Sequence, residues 1–161
     1  MPLRYAALAL ALCAAWPAVA QRRNIQNYGV ADGLPQAHVY DMVQDPAGPL
    51  WLGTDGGLSR FDGRTFTNYT TAEGLPSNQI REIDLDAEGR LWIGFANAGV
   101  AVFDGRRFTP YGTADGLPSD QVLAVNARAD GTVWVGTGDG AARLREGRFE
   151  PVRPPGPLPL G

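Results

Sequence analysis

Apolar positions fall into two regimes along the chain. Residues 5–16 form one uncharged, almost wholly apolar run. From about residue 25 onward, short apolar clusters alternate with turn residues, and the clusters recur. Leu50-Trp51-Leu52, Leu91-Trp92-Ile93 and Val133-Trp134-Val135 are near-continuous apolar triplets, which predicts strands buried on both faces. Ahead of each lies a pair spaced by three, Val39/Met42, Ile80/Ile83 and Val122/Val125. That spacing breaks strict alternation and predicts a bulge or a late strand start. Turn-rich segments separate these two strands: Asp45-Pro46-Ala47-Gly48, Asp86-Ala87-Glu88-Gly89 and Ala129-Asp130-Gly131. A third strand ends at Phe61, Phe103 or Leu144. Asp62-Gly63 and Asp104-Gly105 then predict hairpin turns in which Gly takes positive φ. In the third copy, Arg145-Glu146-Gly147 carries its Gly one place later. Fourth strands follow at residues 65–69, 107–111 and 148–152.

The copies share one period. Gly33-Leu34-Pro35 returns as Gly74-Leu75-Pro76 and Gly116-Leu117-Pro118, at steps of 41 and 42. The Trp-x-Gly triplets repeat at the same steps. Phe66, Phe108 and Phe149 stand five residues after Phe61, Phe103 and Leu144. Four short antiparallel strands per unit of about 40 residues, buried on both faces, describe a β-propeller blade. The lack of a 3.6-residue pattern excludes a helical solenoid. The predicted fold is therefore all-β, with three four-stranded blades over about 25–69, 70–111 and 112–153. Trp51, Trp92, Trp134, Phe61, Phe103, Phe66 and Phe108 are expected to fill the space between blades.

Composition narrows the function. Gly and Pro number 21 and 13 in 161 residues, an excess that the turns absorb. The net charge is −3, which argues against nucleic-acid binding, because phosphate contacts need a cationic face. One His and one Cys exclude a disulfide framework, a Cys/His zinc site and most nucleophile–His catalysis. No cofactor is expected.

Residues 1–20 read as an address. Arg4 gives a positive start, the apolar run follows, and Ala18-Val19-Ala20 is a small-x-small cleavage site before Gln21, as in a secretory signal peptide. Arg22 and Arg23 directly after it oppose export, which keeps an uncleaved membrane anchor open. Cys13 lies inside the apolar run behind Leu12, not behind the small residue that lipidation needs. The expected location is periplasmic or secreted.

The repeated text, Gly-Leu-Pro followed by Trp-x-Gly and then Phe or Leu before a Gly turn, resembles the two-component regulator propeller repeat over about residues 25–153. That resemblance implies an exported sensor region of bacterial histidine kinases or diguanylate cyclases, folded as a seven-bladed propeller. The present sequence has three repeats and no output module, so the resemblance implies an N-terminal input segment without catalysis. The start of a fourth repeat is expected within 154–161, since Leu158-Pro159 falls 41 residues after Leu117-Pro118. The implied partners are a small-molecule or glycan ligand, or a protein. Any membrane link would come from a missing C-terminal region or the uncleaved anchor. Other readings are a free-standing periplasmic scaffold that completes its propeller by self-association, or a remnant of a broken gene.

Candidate contact residues lie in the loops between second and third strands. Asp55, Asn97 and Asp139 keep a polar residue beside Gly while their neighbours vary. Such loops suit a ligand or partner, although Asp and Asn also favour tight turns for local reasons. Asp84 to Gly89 begins like a calcium loop, but Phe95 stands where the closing Glu belongs, so no metal site is expected. His38 aligns with Gln79 and Gln121 and is expected to be a surface or hydrogen-bonding residue. A single His without a coordinating cluster also argues against a metal-dependent propeller lyase of the streptogramin-inactivating kind.

Overall fold

The structure is a computed structural model, and residues 26–152 are described. The expected leader at 1–20 and the expected fourth repeat at 154–161 lie outside the described residues.

Among the described residues, twelve strands form three antiparallel sheets, each in simple sequence order. The first blade comprises β1 (Val39–Gln44), β2 (Leu50–Thr54), β3 (Gly57–Phe61) and β4 (Phe66–Tyr69). The second comprises β5 (Ile80–Leu85), β6 (Leu91–Phe95), β7 (Val100–Phe103) and β8 (Phe108–Tyr111). The third comprises β9 (Val122–Ala127), β10 (Val133–Thr137), β11 (Gly140–Arg145) and β12 (Arg148–Val152). The all-β propeller architecture read from the period is the one found.

Each repeated Gly-Leu-Pro closes a one-turn 3-10 helix that leads into a blade. Gly33, Gly74 and Gly116 hold φ of +109°, +99° and +102° there, a region that L side chains avoid. The following Leu34, Leu75 and Leu117 are all buried. The hairpin glycines Gly63 and Gly105 also take positive φ, at +96° and +90°. In the third blade the turn shortens to Glu146-Gly147, with Arg145 paired directly to Arg148.

The spacing of three in the first strands has a concrete cause. In β1 the pairing with β2 slips between Val39 and Asp41, and in β5 between Ile80 and Glu82. In β9 it slips between Val122 and Ala124. One extra residue is therefore bulged out in each inner strand: Tyr40, Arg81 and Leu123. The bulge returns Ile80 and Ile83, or Val122 and Val125, to the same face.

That face packs on the preceding blade. A Cβ on Gly53 would lie 2.6 Å from Ile80, and one on Gly94 would lie 2.7 Å from Val122. Only glycine lets the sheets approach so closely. The core accordingly lies between blades. One cluster joins Trp51 and Leu58 to Ile80, Ile83, Leu91, Ile93 and Phe103. The other joins Trp92 and Val100 to Val122, Val125, Val133, Val135 and Phe149.

The expected core aromatics divide by position. Trp51, Trp92 and Phe103 are buried, whereas Phe61, Phe66 and Phe108 are half-buried. Trp134 is half-buried as well. Phe103 meets the Trp51 ring edge-on, and Phe149 does the same for Trp92. Trp134 faces away from the second blade, and no fourth sheet covers it among the described residues. Instead the Arg143 guanidinium lies 5.5 Å from its ring centre. At the other end, Tyr28 sits 4.7 Å from the Phe61 ring, as Tyr69 sits 5.5 Å from Phe103.

Candidate functional site

The inner strands β1, β5 and β9 and the loops after β2, β6 and β10 carry the candidate site. A bulge re-aims the side chain of its extra residue, and the bulged positions hold three unlike residues: Tyr40, Arg81 and Leu123. Tyr40 and Leu123 are exposed. Structural demand alone would favour similar residues in equivalent places of a repeat, so this variety marks positions free to serve something else.

Two of these residues converge on Asp55 in the β2–β3 loop. The Tyr40 hydroxyl donates to Asp55 Oδ2 at 2.7 Å, and Arg81 Nη1 donates to Oδ1 at 2.7 Å. The Arg81 guanidinium also lies 4.0 Å over the Tyr40 ring, in cation–π contact. The His38 ring lies tilted against the Tyr40 ring, with their centres 4.4 Å apart. The four residues thus form one polar–aromatic patch across the seam between first and second blades. The hydrogen bond to Asp55 pushes the Tyr40 hydroxyl above its usual value. The same bond, followed by Arg81, holds the Asp55 carboxyl below its usual value. At neutral pH the patch presents an ionised acid, a guanidinium and an aromatic ring, groups suited to hydroxyl-rich or planar polar ligands.

Asn97 and Asp139 occupy the matching loops of the other blades and are exposed. Neither makes a side-chain hydrogen bond to another described residue. Of the three loop residues expected from sequence, Asp55 alone is drawn into a cluster. Agreement among the copies does not mark Tyr40 and Arg81, whereas the differences at position two of each inner strand do. His38, expected at the surface, is exposed.

Below the patch, acidic residues tie the inner strands together. Asp41 Oδ2 accepts the Ile83 amide at 2.9 Å, and Asp84 Oδ2 accepts the Ala127 amide at 2.7 Å. Glu82 lies between them, and burial first, then Asp41 and Asp84, push its carboxyl upward. Asp86 in the calcium-like stretch instead bonds the Trp92 indole at 2.9 Å and Arg90 Nε at 2.7 Å. Its oxygens are spent on the blade.

Comparisons with known proteins agree with this geometry. Residues 33–56 and 74–97, in the first two of the three copies, match the family model described as two component regulator propeller. Over 49 residues it is 47% identical to histidine kinase P4 of Formosa agariphila, covering 29% of this chain and 4% of the kinase. The fold is similar to the extracellular domain assigned to the hybrid two component system BT3049 of B. thetaiotaomicron, with TM-score 0.71, 25% identity, and coverage of 79% of this chain and 20% of that one. It is also similar to the extracellular domain assigned to the one component system BT4673 of the same organism, with TM-score 0.62, 27% identity, and coverage of 71% and 18%. The chain therefore spans about a fifth of the solved domains it resembles. Among the described residues, no helix is long and apolar enough to cross a membrane.

Proposed function

We propose that this chain is an exported input segment of a two-component-type signalling protein, which binds a ligand or partner through the Tyr40–Asp55–Arg81 patch and performs no catalysis itself. The likeness to extracellular domains of such systems supports the setting, and the bulged Tyr40 and Arg81 converging on Asp55 carry the choice of site. Cleavage before Gln21 would deliver the segment to the periplasm or beyond. A small polar molecule or a glycan suits the mixture of ring, acid and guanidinium.

A second reading, a free-standing interaction protein that completes its propeller by self-association, draws on two observations. Met42, at the position of the seam residues Ile83 and Val125, is 58% exposed, and Trp134 is half-buried.

Signalling output separates the two. In the source bacterium, Tyr40→Ala and Arg81→Gln at the native locus should reproduce part of the transcript changes caused by deleting the gene, at unchanged protein abundance. Wild-type transcripts in both substituted strains would overturn the sensory reading.

A further inference from the structure

The two seams between blades can be compared position by position, and they differ at one end. In the seam between second and third blades, Asp86 is neutralised. It accepts from Trp92 Nε1 at 2.9 Å and from Arg90 Nε at 2.7 Å, and its side chain is 1% exposed. The residue paired with Trp92 on the next strand is Val102, which is buried.

In the seam between first and second blades the corresponding residues are Asp45, Trp51, Pro49 and Arg60. Pro49 stands where Arg90 stands and supplies no cation. Asp45 is left with the Ala47 amide at 2.8 Å and a long contact to Trp51 Nε1 at 3.4 Å. Arg60 replaces Val102, and its guanidinium lies 5.9 Å from the Trp51 ring centre. It has no acceptor among the described residues. Beside Asp45 and Arg60 the first seam opens as a cleft of about 350 Å³, walled also by Trp51, Tyr69, Phe103 and Asp104. The Asp104 carboxylate already accepts the Arg106 and Arg107 amides at 2.9 Å and lies 3.6 Å from Arg107 Nε.

We infer that this cleft is a binding site for a zwitterionic small molecule of the α-amino-acid class. A guanidinium matches a carboxylate in two parallel bonds, and the Asp45 carboxylate, an acceptor only, matches an ammonium. An anion would satisfy Arg60 but face Asp45, and a cation would do the reverse. A molecule carrying both charges satisfies both walls. The volume lies at the lower end of small-ligand pockets, roughly 300–1,000 Å³, and fits one amino acid. The Trp51, Tyr69 and Phe103 rings give its side chain an apolar wall. This inference is independent of the patch around Asp55.

Calorimetric titration of the full-length protein tests it, with L-leucine as the probe. L-leucinamide, which lacks the carboxylate, and N-acetyl-L-leucine, which lacks the ammonium, are the comparisons. L-leucine should bind at least about tenfold more tightly than either, the loss expected when a charged partner goes unmatched. Arg60→Gln and Asp45→Asn should each weaken it about tenfold. Pro49→Arg copies the Arg90 pairing, so it should abolish binding without lowering the melting temperature. No saturable heat with L-leucine up to about 10 mM, equal affinity for all three compounds, or wild-type binding by Pro49→Arg would each overturn the inference.

Discussion

Asp84 Oδ2 accepts the backbone N–H of Ala127 at 2.7 Å across the seam between second and third blades. Its other oxygen takes the Leu85 amide on its own strand at 2.9 Å. Asp41 serves Ile83 and Met42 in the same two ways one blade earlier. The inner strands of adjacent blades are therefore linked by single carboxylates rather than by ladder pairing. Hydrogen bonds to charged groups contribute about 1.5–3 kcal/mol. Asp84→Ala should cost about 2 kcal/mol in urea unfolding, and a change under about 0.5 kcal/mol would show that the link adds nothing.

Trp92 and Trp134 are equivalent in the repeat and unequal in the fold. Trp92 is 1% exposed and packs on Tyr111 and Phe149. Trp92→Ala should destabilise by about 3–5 kcal/mol, as large-to-small core changes do. Trp134→Ala should cost clearly less, because that ring is only half-buried. Equal losses in chemical denaturation would contradict the assignment of the core to the seams.

How far the chain could be read in advance follows from the same pair. Periodicity reveals the strands, the turns and the Gly-Leu-Pro links, because those features repeat with the backbone. It also points to the inner-strand bulge, since Val39/Met42 spacing cannot alternate. What it misses is dependence on neighbours. Trp134 matches Trp51 residue for residue, yet its burial depends on a sheet that sequence equivalence does not provide. The patch around Asp55 is missed for the opposite reason. Tyr40 and Arg81 have no repeated partner, so a search for agreement among copies passes over them, and only their differences expose them.

Asp86 makes the second blade sensitive to acid. Burial works to raise its carboxyl, but the Trp92 indole and the Arg90 amide and guanidinium outweigh that and hold it below the usual value. A depressed folded value gives stability that is present above the unfolded value, about 3.9, and is lost as pH falls through the folded value. Asp86→Asn lacks this group. Its stability should therefore fall less than that of the wild type between about pH 5 and pH 2, and parallel curves would refute the role.

Glu82 has the opposite sign. Burial, then Asp41 and Asp84, raise its carboxyl, so the ionised form opposes folding at neutral pH. Glu82→Gln should raise the melting temperature at pH 7. The gain should shrink as the pH falls below the folded value, where the wild-type residue is already neutral. A lower melting temperature at pH 7 would show that the ionised group is needed.

The central claim is that the Tyr40–Asp55–Arg81 patch receives a ligand. Thermal unfolding of the protein against a panel of oligosaccharides and small polar metabolites tests it most directly, run in parallel on the wild type and Arg81→Gln. A ligand at a hundred times its dissociation constant adds about 2.7 kcal/mol to the folded state, a shift of several degrees for a domain of this size. The account predicts at least one compound that raises the wild-type melting temperature and leaves that of Arg81→Gln unmoved. Identical responses of the two proteins across the whole panel would contradict it.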